Sequence, residues 1–379
     1  MQVQPVKSAL FPVSGCVWTI GDDKSRFYGG SEARARYAKT PTVRKVRMFG
    51  QVNERLETKK KFFEDAGILF EGISGIELHT PNEVNRRNFE QIAAALQEVH
   101  LVAAMVTANL FYTFGNGAFS SPVKWERQRA INYAKKAVDF AYKFKGILNH
   151  TPAIVYWPGG DGMHVPLQQD RVVALNLIVD ALNQVMAYEK TKGGKLLFAG
   201  EAKPNEPKNV IFVPTTADFL ALKYQLRPEF WPRFGVNPES AHEMLANMDP
   251  ATPVALALAL KSLFHYHANW QEGLKWDQDN GIQVNIMMLE AIHLMKLHGF
   301  TGFVGLDIQP RPSTADPLTV IENSVINLRL LEYWESKIDW DHIDVLRRAG
   351  KFENVQQYVN LVSLQLLPRD FDVKLLLSA

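Results

Sequence analysis

The chain has 379 residues, enough for one large domain or two ordinary ones, and its 46% hydrophobic and 22% charged residues indicate a globular protein rather than a disordered one. A formal net charge of +2 argues against nucleic acid or an acidic membrane as a partner. The single cysteine, Cys16, excludes an internal disulfide and favours a reducing compartment. We find no secretory signal and no apolar stretch of about 20 residues, so we expect a cytoplasmic protein that does not cross a membrane.

Short apolar runs recur along the chain, and longer amphipathic or Ala-rich segments separate several of them. The eight runs are Gly15–Ile20, Gly75–His79, Val102–Thr107, Ala153–Trp157, Leu196–Gly200, Arg233–Val236, Ser262–Ala268 and Phe303–Asp307. The predicted helices between them include Arg127–Phe144, Asp170–Glu189, Val254–Lys261 and Ile282–His298. Alternating strands and helices favour a parallel sheet, and eight such units predict an α/β protein with a (β/α)8 TIM barrel.

The last part of the chain lacks a run that extends the barrel. We therefore predict a barrel catalytic domain over residues 1–315 and a C-terminal helical extension over residues 316–379. Apolar faces in Val325–Leu331 and Val359–Leu367 would either cover the barrel or contact a neighbouring subunit, and the sequence leaves both alternatives open.

Polar and aromatic residues stand at or just past the C-terminal ends of seven of the runs. Active sites of these barrels lie at that end. The residues are His79, Thr107, Trp157, Glu201, Glu239, His267 and Asp307.

Glu201 and Lys203 follow an apolar run and precede two prolines. Side chains two positions apart in an extended segment point the same way, so both charges would enter one cavity. A buried carboxylate and ammonium require a third group such as a metal ion or an oxygen-rich substrate.

Several of these residues are potential metal ligands, and three more candidates lie close in sequence. His242 stands three residues after Glu239, and Asp277 and Asp279 form a second short motif. Oxygen ligands with a few imidazoles suit Mn²⁺, Co²⁺ or Mg²⁺ better than a structural zinc. The number of carboxylates is sufficient for two divalent ions bridged by one of them.

Each motif alone also has a purely structural interpretation. Pro238 and Glu239 could begin a helix, and Asp277 and Asp279 could cap one. Five other candidates could be ordinary core residues, or buried residues paired by a hydrogen bond or an opposite charge. They are His79, Phe111, Trp157, Lys203 and His267. Together these interpretations would leave several unpaired charges at one end of a barrel, which the cost of desolvation opposes.

Five motifs resemble those of the xylose isomerase family, over most of residues 15–315. Glu201–Pro207 is similar to the family's Glu-Pro-Lys-Pro-Asn-Glu-Pro, and Gly235–Glu243 to its Gly-hydrophobic-Asn-Pro-Glu-x-x-His-Glu. Met105–Phe111 resembles Met-Val-Thr-x-Asn-Leu-Phe, Leu263–Asn269 resembles Leu-Phe-His-x-Asp-x-Asn, and Lys275–Asp279 resembles Lys-x-Asp-Gln-Asp.

The resemblance implies a role for each candidate residue. One metal ion would be bound by Glu201, Glu239, Asp307 and, where the family has aspartate, His267. A second ion would be bound by Glu239, His242, Asp277 and Asp279. The predicted catalytic residues are His79, which would bind the ring oxygen, Lys203, which would hold a substrate oxygen, and Asp277. The substrate pocket would be lined by Trp18, Thr107, Phe111, Trp157 and Asn269.

The family's chemistry is also implied. We expect a homo-oligomeric (dimeric or tetrameric) metal-dependent aldose–ketose isomerase that moves hydride between C1 and C2 of an open-chain sugar. His267, Asn82 and Gln309 depart from the family pattern, as does Pro158 after Trp157, so a sugar other than xylose is expected. The alternatives are an epimerase or lyase that acts by proton transfer, or a non-catalytic sugar-binding relative.

Overall fold

The structure is a computed structural model that describes residues 10–16, 73–81, 83–110, 114, 116–163, 165–204, 210–271, 281–308 and 317–365. Trp18, Asn82, Phe111, Asp277, Asp279 and Gln309 lie outside these residues.

Ten strands lie in the described residues. They are β1 Val13–Cys16, β2 Ile73–Thr80, β3 Val102–Ala108, β4 Ala153–Tyr156, β5 Gly162–Met163, β6 Phe198–Gly200, β7 Val210–Ile211, β8 Phe234–Val236, β9 Tyr266–His267 and β10 Val304–Leu306. Every predicted run overlaps one of them. The first strand begins two residues earlier than predicted. Of the predicted run Ser262–Ala268, only Tyr266 and His267 form strand β9.

Among the described residues, ten α-helices surround or follow the strands. They are α1 Phe89–Glu98, α2 Lys124–Leu148, α3 Arg171–Lys192, α4 Thr216–Lys223, α5 Ser240–Leu245, α6 Ala251–Ala259, α7 Ile286–Leu297, α8 Pro317–Lys337, α9 Trp340–Arg348 and α10 Phe352–Gln365. Side-chain caps fix some of the starts. Asp170 accepts hydrogen bonds from two backbone N–H groups of α3, and Thr215 and Asp218 form a capping box at α4.

Eight of the strands form one parallel sheet in the order β8-β6-β4-β3-β2-β1-β10-β9. Parallel bridges from Val236 to Leu263 and from Glu239 to His267 join its two edges, so the sheet closes into a barrel. The fold is therefore a TIM barrel, as the sequence predicts. Because all eight strands run the same way, the residues that follow them collect at one end.

The barrel wall has an apolar outer face, and its inner face carries polar residues beside a small apolar cluster of Met105, Val155 and Ala199. On β2, Ile76 and Leu78 belong to the hydrophobic core, whereas Glu77 and His79 alternate with them and point to the other side. The outer core continues into the helices, where Phe89 of α1 stacks on Phe140 of α2. Glu77 and His79 of β2 therefore face the barrel interior.

The C-terminal part is helical, and its first helix covers the barrel. The Val325–Leu331 face predicted to be apolar is buried in the main core through Val325, Leu328 and Leu331. Arg329 donates to the Phe11 carbonyl, and Glu332 accepts from the Phe11 N–H, which attaches α8 to the chain just before β1. The Val325–Leu331 face therefore covers the barrel, which is one of the two alternatives left open by the sequence. The domain boundary between residues 315 and 316 stays a prediction.

Outside the barrel, β5 and β7 pair as a short antiparallel ribbon. Among the helices of the described residues, none combines the length and the apolar composition needed to cross a bilayer.

Candidate metal centre

Four polar residues converge at the C-terminal end of the barrel from four different strands. Glu201 follows β6, Glu239 follows β8, His267 ends β9 and Asp307 follows β10. One potential ligand atom from each lies within 4.8 Å of the others. We call these four residues the carboxylate–histidine cluster. All were predicted as ligands of one metal ion, and the structure brings all of them together.

The three carboxylates of the cluster surround one imidazole nitrogen. His267 Nδ1 lies 3.1 Å from Glu239 Oε2, 3.3 Å from Glu201 Oε2 and 3.7 Å from Asp307 Oδ2. The side chains of Glu201, Glu239 and His267 are almost entirely buried, and that of Asp307 is slightly more exposed. Water therefore screens these negative charges only weakly.

Two asparagine amides hold the carboxylates in place. Asn237 Nδ2 donates to Glu201 Oε2 at 2.7 Å, and Asn269 Nδ2 donates to Glu239 Oε1 at 2.6 Å. Asn269 was predicted to line the substrate pocket. Its side chain is fully buried, and its described contacts are to Glu239, the Asp307 carbonyl and the Ala241 N–H, so it supports the cluster.

A carboxylate absent from the sequence prediction, Glu77 of β2, lies on the far side of the His267 ring. Its Oε2 is 3.0 Å from His267 Nε2, and its Oε1 is 2.9 Å from His265 Nε2. Ser14 Oγ and Cys16 Sγ donate to the same carboxylate at 2.7 Å and 3.1 Å. Cys16 is buried as predicted, but it acts as a donor to Glu77 rather than as a simple apolar residue.

These contacts perturb the buried ionisable groups strongly. Burial alone would raise the pKa of Glu77, but His267 and His265 outweigh it and lower that pKa well below its usual value. Burial alone would lower the pKa of His267, but Glu77 and Glu201 raise it well above the usual value. Burial and the nearby Glu239 charge raise the pKa of Asp307 well above the ordinary range. Four carboxylates, those of Glu77, Glu201, Glu239 and Asp307, thus surround the single imidazole of His267.

The donor set fits a divalent cation. Without an ion, the raised pKa of His267 favours protons on both ring nitrogens, with Nδ1–H directed at Glu239 Oε2. A divalent cation in the place of the Nδ1 proton would meet the Nδ1 lone pair and three carboxylate oxygens, while Nε2–H still donates to Glu77. Asp307 Oδ1 is buried and accepts no hydrogen bond from any described residue, so it has a lone pair available for an ion. Three carboxylates and one imidazole suit Mn²⁺ or Co²⁺, and Mg²⁺ less well.

Two of the four ligands predicted for the second ion, Glu239 and His242, lie among the described residues. Glu239 is the N-cap of α5, and His242 lies one turn into that helix with Nε2 3.0 Å from Glu239 Oε1. The helix-start interpretation and the ligand interpretation of Glu239-x-x-His242 therefore coexist. Asp277 and Asp279 lie outside the described residues, so this ion stays a prediction.

His79 at the end of β2 is paired with a carboxylate that the sequence analysis did not single out. Glu83 Oε2 lies 3.1 Å from His79 Nδ1 and also accepts the His79 backbone N–H. Burial by itself disfavours the imidazolium, but Glu83 outweighs it and raises the pKa of His79 to about 9. Asn82, the expected partner, lies outside the described residues, and the carboxylate is supplied one position later.

Lys203 and Trp157 lie together at the ends of β6 and β4. The Lys203 side chain is buried, and its Nζ lies 6.0 Å from the centroid of the Trp157 ring. Gly159 packs against that ring so closely that a Cβ there would lie 2.6 Å from it. Thr107 is buried at the end of β3, and its Oγ1 has no hydrogen-bond partner in the part of the chain described. Trp18 and Phe111, the other predicted pocket residues, lie outside that part.

Residues 69–328 match the sequence model of a family described as xylose isomerase-like TIM barrel. The chain belongs to the xylose isomerase-like TIM barrel family. The xylose isomerase of Thermus thermophilus is 35% identical over 219 residues, which cover 55% of this chain and 54% of that enzyme. The chain therefore spans about half the length of the curated relatives it matches.

Solved structures with the same fold include sugar epimerases. A D-tagatose 3-epimerase-like protein superposes with a TM-score of 0.54 at 16% identity, over 69% of this chain and 90% of its own. The 3-keto-D-glucoside 4-epimerase of E. coli gives a TM-score of 0.55 at 14% identity, over 74% of this chain and 97% of its own. At these identities the likeness shows the fold alone.

Proposed function

We propose that this member of the xylose isomerase-like TIM barrel family is a metal-dependent aldose–ketose isomerase acting on an open-chain sugar other than xylose. The observation that carries the proposal is the convergence of Glu201, Glu239 and Asp307 on His267 Nδ1 at the active-site end of the barrel. The 35% identity to a Thermus enzyme named xylose isomerase supports the reaction class.

The carboxylate–histidine cluster would hold one divalent ion, and Glu239 and His242 would contribute to a second. Bound divalent cations supply polarisation of a carbonyl oxygen and stabilisation of negative charge on neighbouring oxygens. In the reaction, the hydrogen on C2 of the aldose moves to C1 with its electron pair. O2 loses its proton and becomes the carbonyl, and O1 gains a proton.

The chain's own groups would bind and shield the sugar. Lys203 carries a positive charge at the barrel mouth, where an oxygen of the substrate becomes negative during transfer. Trp157 beside it presents an apolar ring that excludes water, so the hydrogen is not exchanged with solvent. His79 is protonated at neutral pH because of Glu83, and it would donate a hydrogen bond to the ring oxygen of the cyclic sugar.

A second candidate is an epimerase or lyase that removes a proton from the carbon next to a carbonyl. The observation that favours it is His267, an imidazole where the xylose isomerase pattern has a carboxylate. This exchange lowers the negative charge of the cluster and changes its ion preference, and the same fold hosts several sugar reactions.

A sugar screen with isotope tracking separates the candidates. Metal-depleted protein is incubated with aldoses and ketoses in the presence of Mn²⁺, Co²⁺ or Mg²⁺, and products are analysed by chromatography. A substrate deuterated at C2 retains its label during hydride transfer, whereas proton transfer exchanges it with water. Glu239→Gln should lose turnover, whereas Glu189→Gln should keep it, because Glu189 is a buried glutamate in the last turn of α3 that accepts from the Leu196 N–H before β6. Protein that binds metal but converts no sugar would refute both enzymatic candidates.

A further inference from the structure

Glu77 reaches across the barrel interior to His267. The two residues lie on β2 and β9, which are separated in the sheet by β1 and β10. Glu77 is fully buried, and its carboxylate makes four contacts, with Ser14, Cys16, His265 and His267. Four donors directed at two oxygens leave Glu77 only as an acceptor.

The space for this carboxylate is provided by Gly305 on the intervening strand β10. A Cβ at position 305 would collide with Glu77 Oε1 and would lie 2.7 Å from both His265 Nε2 and His267 Cδ2. The glycine, the glutamate and the two histidines therefore form one packed unit, in which each side chain fixes the position of the others.

Glu77 determines which nitrogen of His267 is free to act as a ligand. A neutral imidazole that donates Nε2–H to a carboxylate has its lone pair on Nδ1. His267 Nδ1 is the atom that faces Glu201, Glu239 and Asp307. A histidine ligand whose other nitrogen donates to a carboxylate is fixed in orientation and is a more basic ligand.

We propose that Glu77 is the positioning residue of the metal centre, holding His267 with Nδ1 directed at the bound ion. The proposal rests on the metal centre of the proposed function. It explains how the cluster accommodates an imidazole where the related pattern has an aspartate: the negative charge absent from position 267 lies behind the ring, on Glu77.

The thiol of Cys16 suggests a competing interpretation, in which Glu77 is itself a metal ligand. Cys16, Glu77 and His267 also offer three potential ligand atoms close together. Their Sγ–Oε2 and Oε2–Nε2 distances of 3.1 and 3.0 Å are those of hydrogen bonds. In the positioning role Cys16 only donates to Glu77, and a serine can replace it.

The test measures Mn²⁺ binding by calorimetry at one fixed pH, on full-length metal-depleted protein. Glu77→Gln keeps the shape but removes the charge, and it should weaken binding about 10- to 100-fold. Glu189→Gln is the matched control, because Glu189 is equally buried and also has four donors, which come from Tyr142, Lys195, Leu196 and Arg233. Its affinity should equal that of the wild type, as should that of Cys16→Ser.

Nitrogen NMR of histidine-labelled, metal-free protein provides a second readout. Glu77→Gln should shift the ring nitrogens of His267, and Glu189→Gln should not. Unchanged Mn²⁺ affinity or unchanged His267 resonances in Glu77→Gln would overturn the proposal, as would loss of an ion in Cys16→Ser. Wild-type protein that binds Mn²⁺ but converts no sugar would refute the proposed function and leave the role of Glu77 intact. Wild-type protein that binds no divalent ion would overturn both.

Discussion

Substitution of Gly305 by alanine perturbs the packed unit behind the metal centre without replacing a predicted ligand. The new methyl group would collide with Glu77 Oε1 and would crowd His265 and His267. None of these side chains can move freely, because Glu77 is held by four contacts and both rings are buried. Overpacking of this kind destabilises by about 1–3 kcal/mol, and we expect Gly305→Ala near the upper end.

Urea unfolding followed by tryptophan fluorescence measures this loss. The matched control is Gly15→Ala on β1, another strand glycine, where the nearest heavy atom to the new methyl group is Ile73 Cδ1 at 3.5 Å. That change should alter the free energy of unfolding by less than about 1 kcal/mol.

A double mutant tests the cause of the instability. Glu77→Ala removes the atoms with which the methyl group collides, so Gly305→Ala should destabilise less in that background, with a coupling energy of about 0.5–3 kcal/mol. If the two changes are additive, or if Gly305→Ala is as stable as Gly15→Ala, then Glu77 does not occupy the position described.

Three further predictions concern the site itself. Glu239→Gln should weaken binding of both ions in calorimetry, and near-normal affinity would contradict its shared role. Lys203→Ala should keep the bound metal but lower kcat at least about 100-fold, whereas Lys190→Ala, an exposed lysine, should be neutral. The pKa of His79, followed by NMR, should be about 9 and should fall toward 6.5 in Glu83→Gln. Because the folded pKa is raised, the stability from the His79–Glu83 pair should be complete below pH 6.5 and lost as pH rises through about 9; a flat profile would argue against the pair.

The fold was predictable because each strand leaves a local pattern. Short apolar runs such as Val102–Thr107 and Ala153–Trp157 end in polar or aromatic residues, and helical segments such as Arg127–Phe144 follow several of them. Parallel strands bring such ends together, so the proximity of Glu201 to His267 follows from topology alone. Helix ends were less predictable, and α2 extends beyond its predicted segment on both sides.

The supporting carboxylates were not predictable in the same way. Glu77 lies within a strand, and its partners His265, just before β9, and His267, on β9, become neighbours only when the barrel closes across its interior. Glu83 follows β2, and the turn returns it to His79, whose carbonyl accepts the Glu83 N–H at 2.9 Å. A signal was nevertheless present. A glutamate inside an otherwise apolar run requires buried donors, and His265 and His267 two residues apart on one strand face were candidates for them.

The most direct test of the metal centre is a crystal structure of the protein grown with Mn²⁺, with anomalous diffraction used to locate the ion. The account predicts an anomalous peak bounded by Glu201, Glu239, Asp307 and His267 Nδ1, with His267 Nε2 still in contact with Glu77. A fully occupied ion elsewhere, or no peak at this position at saturating Mn²⁺, would contradict it.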